Sequence, residues 1–379
     1  MGKLTLYATL MLLFATCVAD QSTSAQTFTK LLDFRPSKVS GLPYPGGVIR
    51  DSAGNLYGTT DGAGGPGLGT VYKVDAHGAL TILHTFTKGT NDGAVPYSGL
   101  VQDAAGNLYG TTYRGGKFDM GTVFKIDPKG KETVLYSFAG ADGSNPSATL
   151  ILDSAGNLYG TTYQGGYLKA CSAFGCGVVF KLSQAGTLTV LHRFVGRDGK
   201  QPVAALFMDS SGNLYGTTAS GGDTASCCGV VFKLSQEGKV TVLHRFVAAE
   251  GNAPTGPVIM DSVGNLYGTT LSGTVFKLDT ASHLTVLHSF PTGNLVDCRL
   301  ATDPAGNLYG MSATLGTHQR GLIFKVDLAG NETDLYSFTG GLDGGFPAEG
   351  LIRDAAGNLW GIAQYGGKFG YGTIFKFLP

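Results

Sequence analysis

A seven-residue string, GNLYGTT at Gly54–Thr60, returns in close copies that begin at Gly106, Gly156, Gly212, Gly264, Gly306 and Gly357, and an aspartate stands three residues before each copy. Self-similarity at a period of about 50 residues is the signature of a repeat architecture, so the chain has to be read unit by unit. Each unit runs as an apolar stretch ending in Asp, a tight turn, NLYGTT, a loop, a GTVFKL-like stretch, a second turn and a TVLHRF-like stretch. Short segments rich in Val, Leu, Phe, Tyr and Thr and punctuated by Gly predict four strands per unit. The 60 glycines supply the turns, while 10% aromatic residues at regular apolar spacing argue against disorder. No helical period is visible beyond the N-terminus.

Seven four-stranded units fit small sheets arranged radially about an axis, an all-β, seven-bladed β-propeller, better than a sandwich or an up-and-down barrel. The two ends of the chain support closure of the ring. The last unit stops at Gly372–Pro379 (GTIFKFLP) without a fourth strand, and Thr27–Phe34 (TFTKLLDF) matches the fourth strand of other units but has no unit of its own. Pairing one with the other removes the exposed edge that an open array would carry. Residues 26–379 are therefore expected to form one domain.

Ahead of it, Lys3, the apolar run Leu4–Val18 and the small residues Thr23–Ser24–Ala25 read as a secretory signal peptide over residues 1–25. The mature chain is expected to be secreted, extracellular or periplasmic, without a membrane span, and monomeric. With 27 basic against 27 acidic residues and 14% charged overall, no basic surplus exists to neutralise a phosphate backbone, which excludes nucleic acid as an expected partner.

Comparison of the seven units separates constant from variable parts. The DxxGN turn and the third and fourth strands keep one length, whereas the loop between NLYGTT and GTVFKL shrinks to Leu271–Ser272 in one unit and swells to Tyr163–Cys176 in another. Strands alternate in direction, so these loops and the unit-to-unit connectors emerge on one face and the uniform turns on the other. Binding residues on rigid scaffolds concentrate in variable loops, which points to the first face. Its loops bear Tyr113, Arg114, Lys117 and Phe118, Tyr163, and Tyr365, Lys368 and Phe369, with the string GGKF repeated; aromatic platforms beside cations suit sugar rings or a protein surface.

Other groups read as architecture. The Asp51–Asn55 type of turn offers a single carboxylate, too few oxygens for a calcium loop. His84, His192, His244 and His288 share one outer-strand position with Tyr136, Tyr336 and Leu32, so a large side chain is all that position is expected to need. Five connectors repeat acid-Gly-x-x-Pro (Asp92–Pro96, Asp142–Pro146, Asp198–Pro202, Glu250–Pro254, Asp343–Pro347), which reads first as a turn and second as a partial ring of carboxylates. No catalytic residue, metal site or cofactor is expected. Cys171, Cys176, Cys227 and Cys228 lie in equivalent loops of units three and four and should be oxidised in an exported chain, either within each loop or between neighbouring loops.

The recurring DxxGNLYGTT…GTVFKL…TVLHxF resembles the GloVer tandem repeat of exported bacterial proteins over nearly the whole mature chain. That resemblance implies a surface or secreted location and carries no catalytic residues. More distantly the units are similar to NHL-type and streptogramin-lyase propellers, though the lyase's His and acidic metal-binding pattern finds no match. The leading expectation is a recognition or structural scaffold for a glycan or protein; the alternative is a lyase- or lactonase-type propeller enzyme with a metal near the axis.

Overall fold

A computed structural model describes residues 26–35, 47–62, 68–169, 171, 173–222, 228–291, 295–296 and 298–379. Seven four-stranded antiparallel blades form a ring, the β-propeller that the repeats predict, and Cys298–Arg299 adds parallel to the inner strand of blade 7 as a fifth strand of that sheet. Blade 1, for example, runs outward through Ile49–Arg50, Leu56–Thr60, Thr70–Val74 and Leu80–Thr85. In blade 7 the order is Gly345–Arg353, Leu359–Tyr365 and Thr373–Leu378, and the outer place is taken by Thr27–Asp33. That strand pairs antiparallel with the C-terminal one, from Thr27 opposite Leu378 to Asp33 opposite Thr373, so the ring closes as expected.

Each position of NLYGTT has a physical job. Leu56 is fully buried in the core, and the Tyr57 hydroxyl donates to the Asp51 carboxylate at 3.0 Å. Gly58 lies under the ring of Tyr72, where an added Cβ would sit 2.4 Å from the hydroxyl oxygen; Gly110 lies the same way under Phe124. The first threonine reaches the next blade, Thr59 Oγ1 donating to the Ser98 carbonyl at 3.0 Å and Thr269 Oγ1 to that of Cys298 at 3.0 Å. The second holds the third strand, Thr60 and Thr70 hydroxyls lying 2.8 Å apart.

The core lies in the seams between blades. An outer strand ends in Phe, and that ring packs edge-on against an aromatic of the next blade's third strand: Phe86 on Phe124, Phe138 on Phe180, and Phe194 on Phe232, all with centroids 5.2 Å apart. Phe34 on Tyr72, at 5.3 Å, closes the circle with the N-terminal strand. A bulge recurs wherever the third and outer strands pair; in blade 1, His84 faces Val71 while Ile82 faces Tyr72, leaving Leu83 as the extra residue. The added twist fixes where His84 and its counterparts point.

Candidate ligand-binding face

The two faces are built differently. On the turn face, Asp51 accepts the Asn55 backbone N–H at 2.8 Å and the Asn55 side-chain amide at 2.7 Å besides the Tyr57 hydroxyl. The same Asp–Asn–Tyr triad stands in every blade, with Trp360 Nε1–H taking the tyrosine's part in blade 7. Burial alone would raise the pKa of these aspartates, but the hydrogen bonds from Asn and Tyr outweigh it and hold them below the ordinary value. Their lone pairs are spent on the turn, which accounts for the motif without calcium. Grooves of about 600 and 710 Å³ open on this face between blades 4 and 5 and between blades 3 and 4, lined by the repeat residues themselves.

On the loop face the five acid-Gly-x-x-Pro connectors are clamps, and their carboxylates are turned away from solvent. Asp198 meets His192 Nε2 at 2.8 Å and accepts the Val195 N–H at 2.8 Å; Glu250 meets His244 at 2.9 Å; Asp343 accepts the Tyr336 hydroxyl at 3.0 Å. Asp92 with His84 and Asp142 with Tyr136 complete the set. This corrects the reading of the outer-strand position as merely large. Where the connector brings an acid, the strand supplies a hydrogen-bonding His or Tyr; of the two strands followed by no such connector, one carries Leu32 and the other His288. That every connector acid meets a His or Tyr was the available signal.

The residue before each connector proline takes a left-handed conformation, with φ of 60° at Val95, 56° at Asn145, 59° at Gln201, 50° at Ala253 and 54° at Phe346. Such a backbone costs about 1–3 kcal/mol at a non-glycine residue, so the surroundings must impose it. They do so from both sides. Val95 N–H donates to Leu68 of its own blade at 2.8 Å, and its carbonyl accepts the Tyr113 N–H of the next at 2.9 Å. The proline ring then fills the space above a glycine: a Cβ at Gly69 would lie 2.3 Å from Pro96 Cδ.

The expected ligand-binding residues fall into two groups. Tyr113, Arg114 and Tyr163 follow second strands on the inner part of the face. Tyr97 packs against Tyr113 with centroids 5.2 Å apart, and Tyr163 accepts the Gln201 amide at 2.8 Å. Burial, and then the neighbouring Tyr163 and Tyr97 hydroxyls, raise the Tyr113 pKa. Asp61, at the end of the second strand of blade 1, has its pKa raised by burial and lies near Tyr97. The GGKF loops instead sit over the outer strands: Lys117 N–H points to Ser137 Oγ at 3.4 Å and Lys368 N–H donates to Asp33 at 2.8 Å. Lys117 lies over Phe118, and Lys368 and Arg35 both over Phe369. Tyr365 packs on Phe346 at 5.5 Å. These loops belong to blades 2 and 7, with blade 1 between them, so they do not converge with the tyrosines.

At the axis the inner strands enclose a cavity of about 70 Å³ on the side where the connectors arrive. The residue just before the first buried aliphatic of each inner strand is Gly47, Gly99, Thr149, Ala205, Pro257 and Gly350 in six blades and Arg299 in blade 6. Small side chains leave the cavity, and one cation lines it. Arg299 keeps contact with solvent, yet protein crowds it enough for desolvation to lower its pKa. Tyr97, Asp61 and Arg299 were not singled out from the sequence; for Arg299, unit-by-unit comparison at this position would have sufficed.

Cys171 and Cys176 form a disulfide, which selects the within-loop pairing for that unit. Cys228 is also disulfide-bonded, and Cys227 lies outside the described residues, as does the signal peptide. His84, Asp92 and Glu132 bring three potential metal ligands within 4.8 Å of one another, far out in the seam between blades 1 and 2. Asp92 already takes the Thr87 N–H and hydroxyl and the Gly93 N–H besides His84. No helix among the described residues is long and apolar enough to cross a membrane.

Solved structures share the architecture. The extracellular domain assigned to a hybrid two-component system of B. thetaiotaomicron superposes with a TM-score of 0.61 at 16% identity, over 93% of this chain and 41% of its own. The oligogalacturonate lyase of Vibrio parahaemolyticus gives 0.59 at 11% identity, over 94% of each chain. The present chain thus spans less than half of the first of these, and identities this low speak for the fold alone. No curated protein matches. The sequence profile of the Gloeobacter/Verrucomicrobia repeat, however, matches residues 17–174, 169–299 and 272–379, and with those spans covering nearly the whole ring the chain belongs to that repeat family.

Proposed function

We propose that this propeller is an exported recognition scaffold that binds a glycan or a protein through the inner part of its loop face. The observation that carries the reading is the cluster of Tyr97, Tyr113 and Tyr163 beside Arg114, gathered from connectors and loops where the repeat diverges. Half-buried tyrosines offer large, rigid contact area at low entropic cost, with a polar tip on an apolar body. The disulfide in the Tyr163–Cys176 loop and the signal-peptide pattern are in keeping with action outside the cytoplasm. A lyase or lactonase holding a metal at the axis would need imidazoles or carboxylates there, and the described axial lining supplies an arginine instead, which gives that reading no support.

A glycan array and a pull-down with immobilised protein test the assignment. Replacing Tyr113 and Tyr163 by Ala should abolish capture while leaving the melting temperature near that of the parent. Replacing Lys117 and Phe118 should weaken it less. Loss through the rim pair with the tyrosine pair unaffected would move the site outward and overturn the proposal.

A further inference from the structure

A single described cation lines the axial cavity. Its described lining contains Arg299 and no Asp or Glu, and no hydrogen bond or ion pair ties the guanidinium to a described acid. Two hydroxyls face the same space. Ser147 Oγ is buried and has no hydrogen-bond partner, and Thr149 Oγ1 accepts the Gly99 N–H at 2.9 Å, which leaves its own proton to donate. A buried hydroxyl left unpaired is costly, and the exposed guanidinium beside it meets no described acid, so the two together offer a place for an acceptor. Other blades show that nothing in the fold demands a cation here, since six of seven place a small neutral residue or proline at this position.

Size and charge define the acceptor. Each water needs about 10–15 Å³ of such space, so about 70 Å³ admits the volume of a few waters: a carboxylate and the carbon that bears it, but no sugar ring. One guanidinium balances one negative charge, which suits a carboxylate and leaves a phosphate dianion half-neutralised. Guanidinium also matches carboxylate in a two-pronged geometry. The rest of the ligand must then lie outside the cavity on the connector side. Tyr97 occupies there the repeat position that Ser147 holds in the next blade, and it leads to Tyr113 and Tyr163. We infer that the axis is a subsite for the carboxylate of an acidic sugar, a hexuronate whose ring and neighbours rest on the Tyr97–Tyr113–Tyr163 surface. The inference rests on the loop-face reading above and gives it a ligand class.

Calorimetric titration of the purified protein with hexuronate-terminated oligosaccharides, and with neutral oligosaccharides of the same linkage, tests it. The acidic ligand should bind about ten- to a hundredfold more tightly, as expected for a charge-assisted contact. Arg299→Ala, which places a residue as small as those of other blades, should fold normally by its melting curve and erase that difference, and Arg299→Lys should keep part of it. Equal affinity for acidic and neutral ligands would overturn the carboxylate subsite while leaving the loop-face proposal standing. Selectivity that survives Arg299→Ala would also overturn it, as would tighter binding of inorganic phosphate than of acetate. A peptide ending in a free carboxylate that binds as tightly as the hexuronide, and with the same Arg299 dependence, would overturn the sugar as its source. Failure of every saccharide, neutral ones included, would count against both readings.

Discussion

The turn face and the loop face of one blade are made from the same strands, yet they spend their polar groups in opposite ways. On the turn face the triad is built seven times, six with Tyr and once with Trp360, and its Asn–Asp distance barely changes, from 2.7 Å at Asn55 and Asp51 to 2.9 Å at Asn358 and Asp354. Five connectors on the loop face are held almost as strictly, by the acid-to-strand bond and the left-handed residue before proline. Between them lie the loops, where Leu271–Ser272 suffices in blade 5 and Tyr163–Cys176 is needed in blade 3. A repeated carboxylate is thus more often committed to the fold than offered to a ligand. Groups left over for recognition are those that break the repeat, such as Tyr97 and Arg299.

The largest expected effect comes from breaking the equivalence of the seven seams. Deleting residues 27–34 removes the outer strand of blade 7, the fully buried Phe34 and the stacking of Phe28 on Tyr336, whose centroids lie 4.2 Å apart. Burying one such side chain contributes about 1.5–3 kcal/mol, so the strand as a whole should account for several of the roughly 5–15 kcal/mol by which a domain is stable. Urea melts should show a drop of that size, and attaching the segment after Pro379 through a short flexible linker should restore most of it. A truncated protein as stable as the parent would mean that the closing seam carries no share of the ring's stability.

That closure was legible in the sequence because a missing strand at one end matched a surplus strand at the other, a matter of counting. The turn was legible too, but only its Asp and Gly. Its tyrosine reads as part of the apolar pattern, since a buried Tyr57 satisfies hydrophobic alternation whether or not its hydroxyl reaches Asp51. The clamp between Asp92 and His84 was less legible, because His288 keeps the imidazole where no acid follows and so blurs the pairing. Of the expected binding residues, Tyr113 and Tyr163 were assigned from the sequence to the loop face. It could not separate them from Lys117 and Phe118, because a loop sequence does not say whether its tip turns toward the axis or over the outer strand.

Acid should distinguish the turn face from the outer seams. With their folded pKa values held below the unfolded value of about 3.9, the seven triad aspartates contribute stability that is present above that pH and lost as the pH falls through their folded values. Glu132 and Glu332 behave in the opposite sense. Burial raises both to about 7, with Asp334 adding to the effect at Glu332, so they bind protons in the folded protein between about pH 4.5 and 7 and cost stability as the pH rises through that window. The melting temperature should therefore rise modestly from pH 7 to 5 and fall steeply below about pH 4. Replacing Glu132 and Glu332 by Gln should flatten the upper part alone; a profile unchanged by both substitutions would show that these carboxyls titrate normally.

A single clamp sets the next scale. Asp198→Ala leaves His192 and the Val195 N–H without their acceptor, which should cost about 1–3 kcal/mol in a denaturant melt. His192→Leu together with an apolar residue at position 198 removes both partners and should recover part of the loss, as the absence of a clamp beside Leu32 suggests. If the double substitution were no better than the single one, the acid would be serving the turn alone.

The smallest effect concerns the one seam whose ring is not Phe. Tyr72 occupies the place of Phe124, Phe180, Phe232, Phe276, Phe324 and Phe375 in the other blades, and it is fully buried with a hydroxyl that has no hydrogen-bond partner. Burial raises its pKa well above that of an exposed tyrosine, so the group stays neutral throughout the accessible range and its cost is that of an unsatisfied hydroxyl. Phe34 packs against this ring, which means that the seam closed by the N-terminal strand is also the one carrying the mismatch. Tyr72→Phe keeps the edge-on contact and the space above Gly58 while removing the unpaired oxygen. It should stabilise the protein by about 1 kcal/mol, raising the urea midpoint slightly with the slope unchanged. The converse change, Phe124→Tyr in the neighbouring seam, should destabilise by a similar amount. A neutral or harmful Tyr72→Phe would mean that the closing seam differs from the other six in its packing and not only in its connectivity.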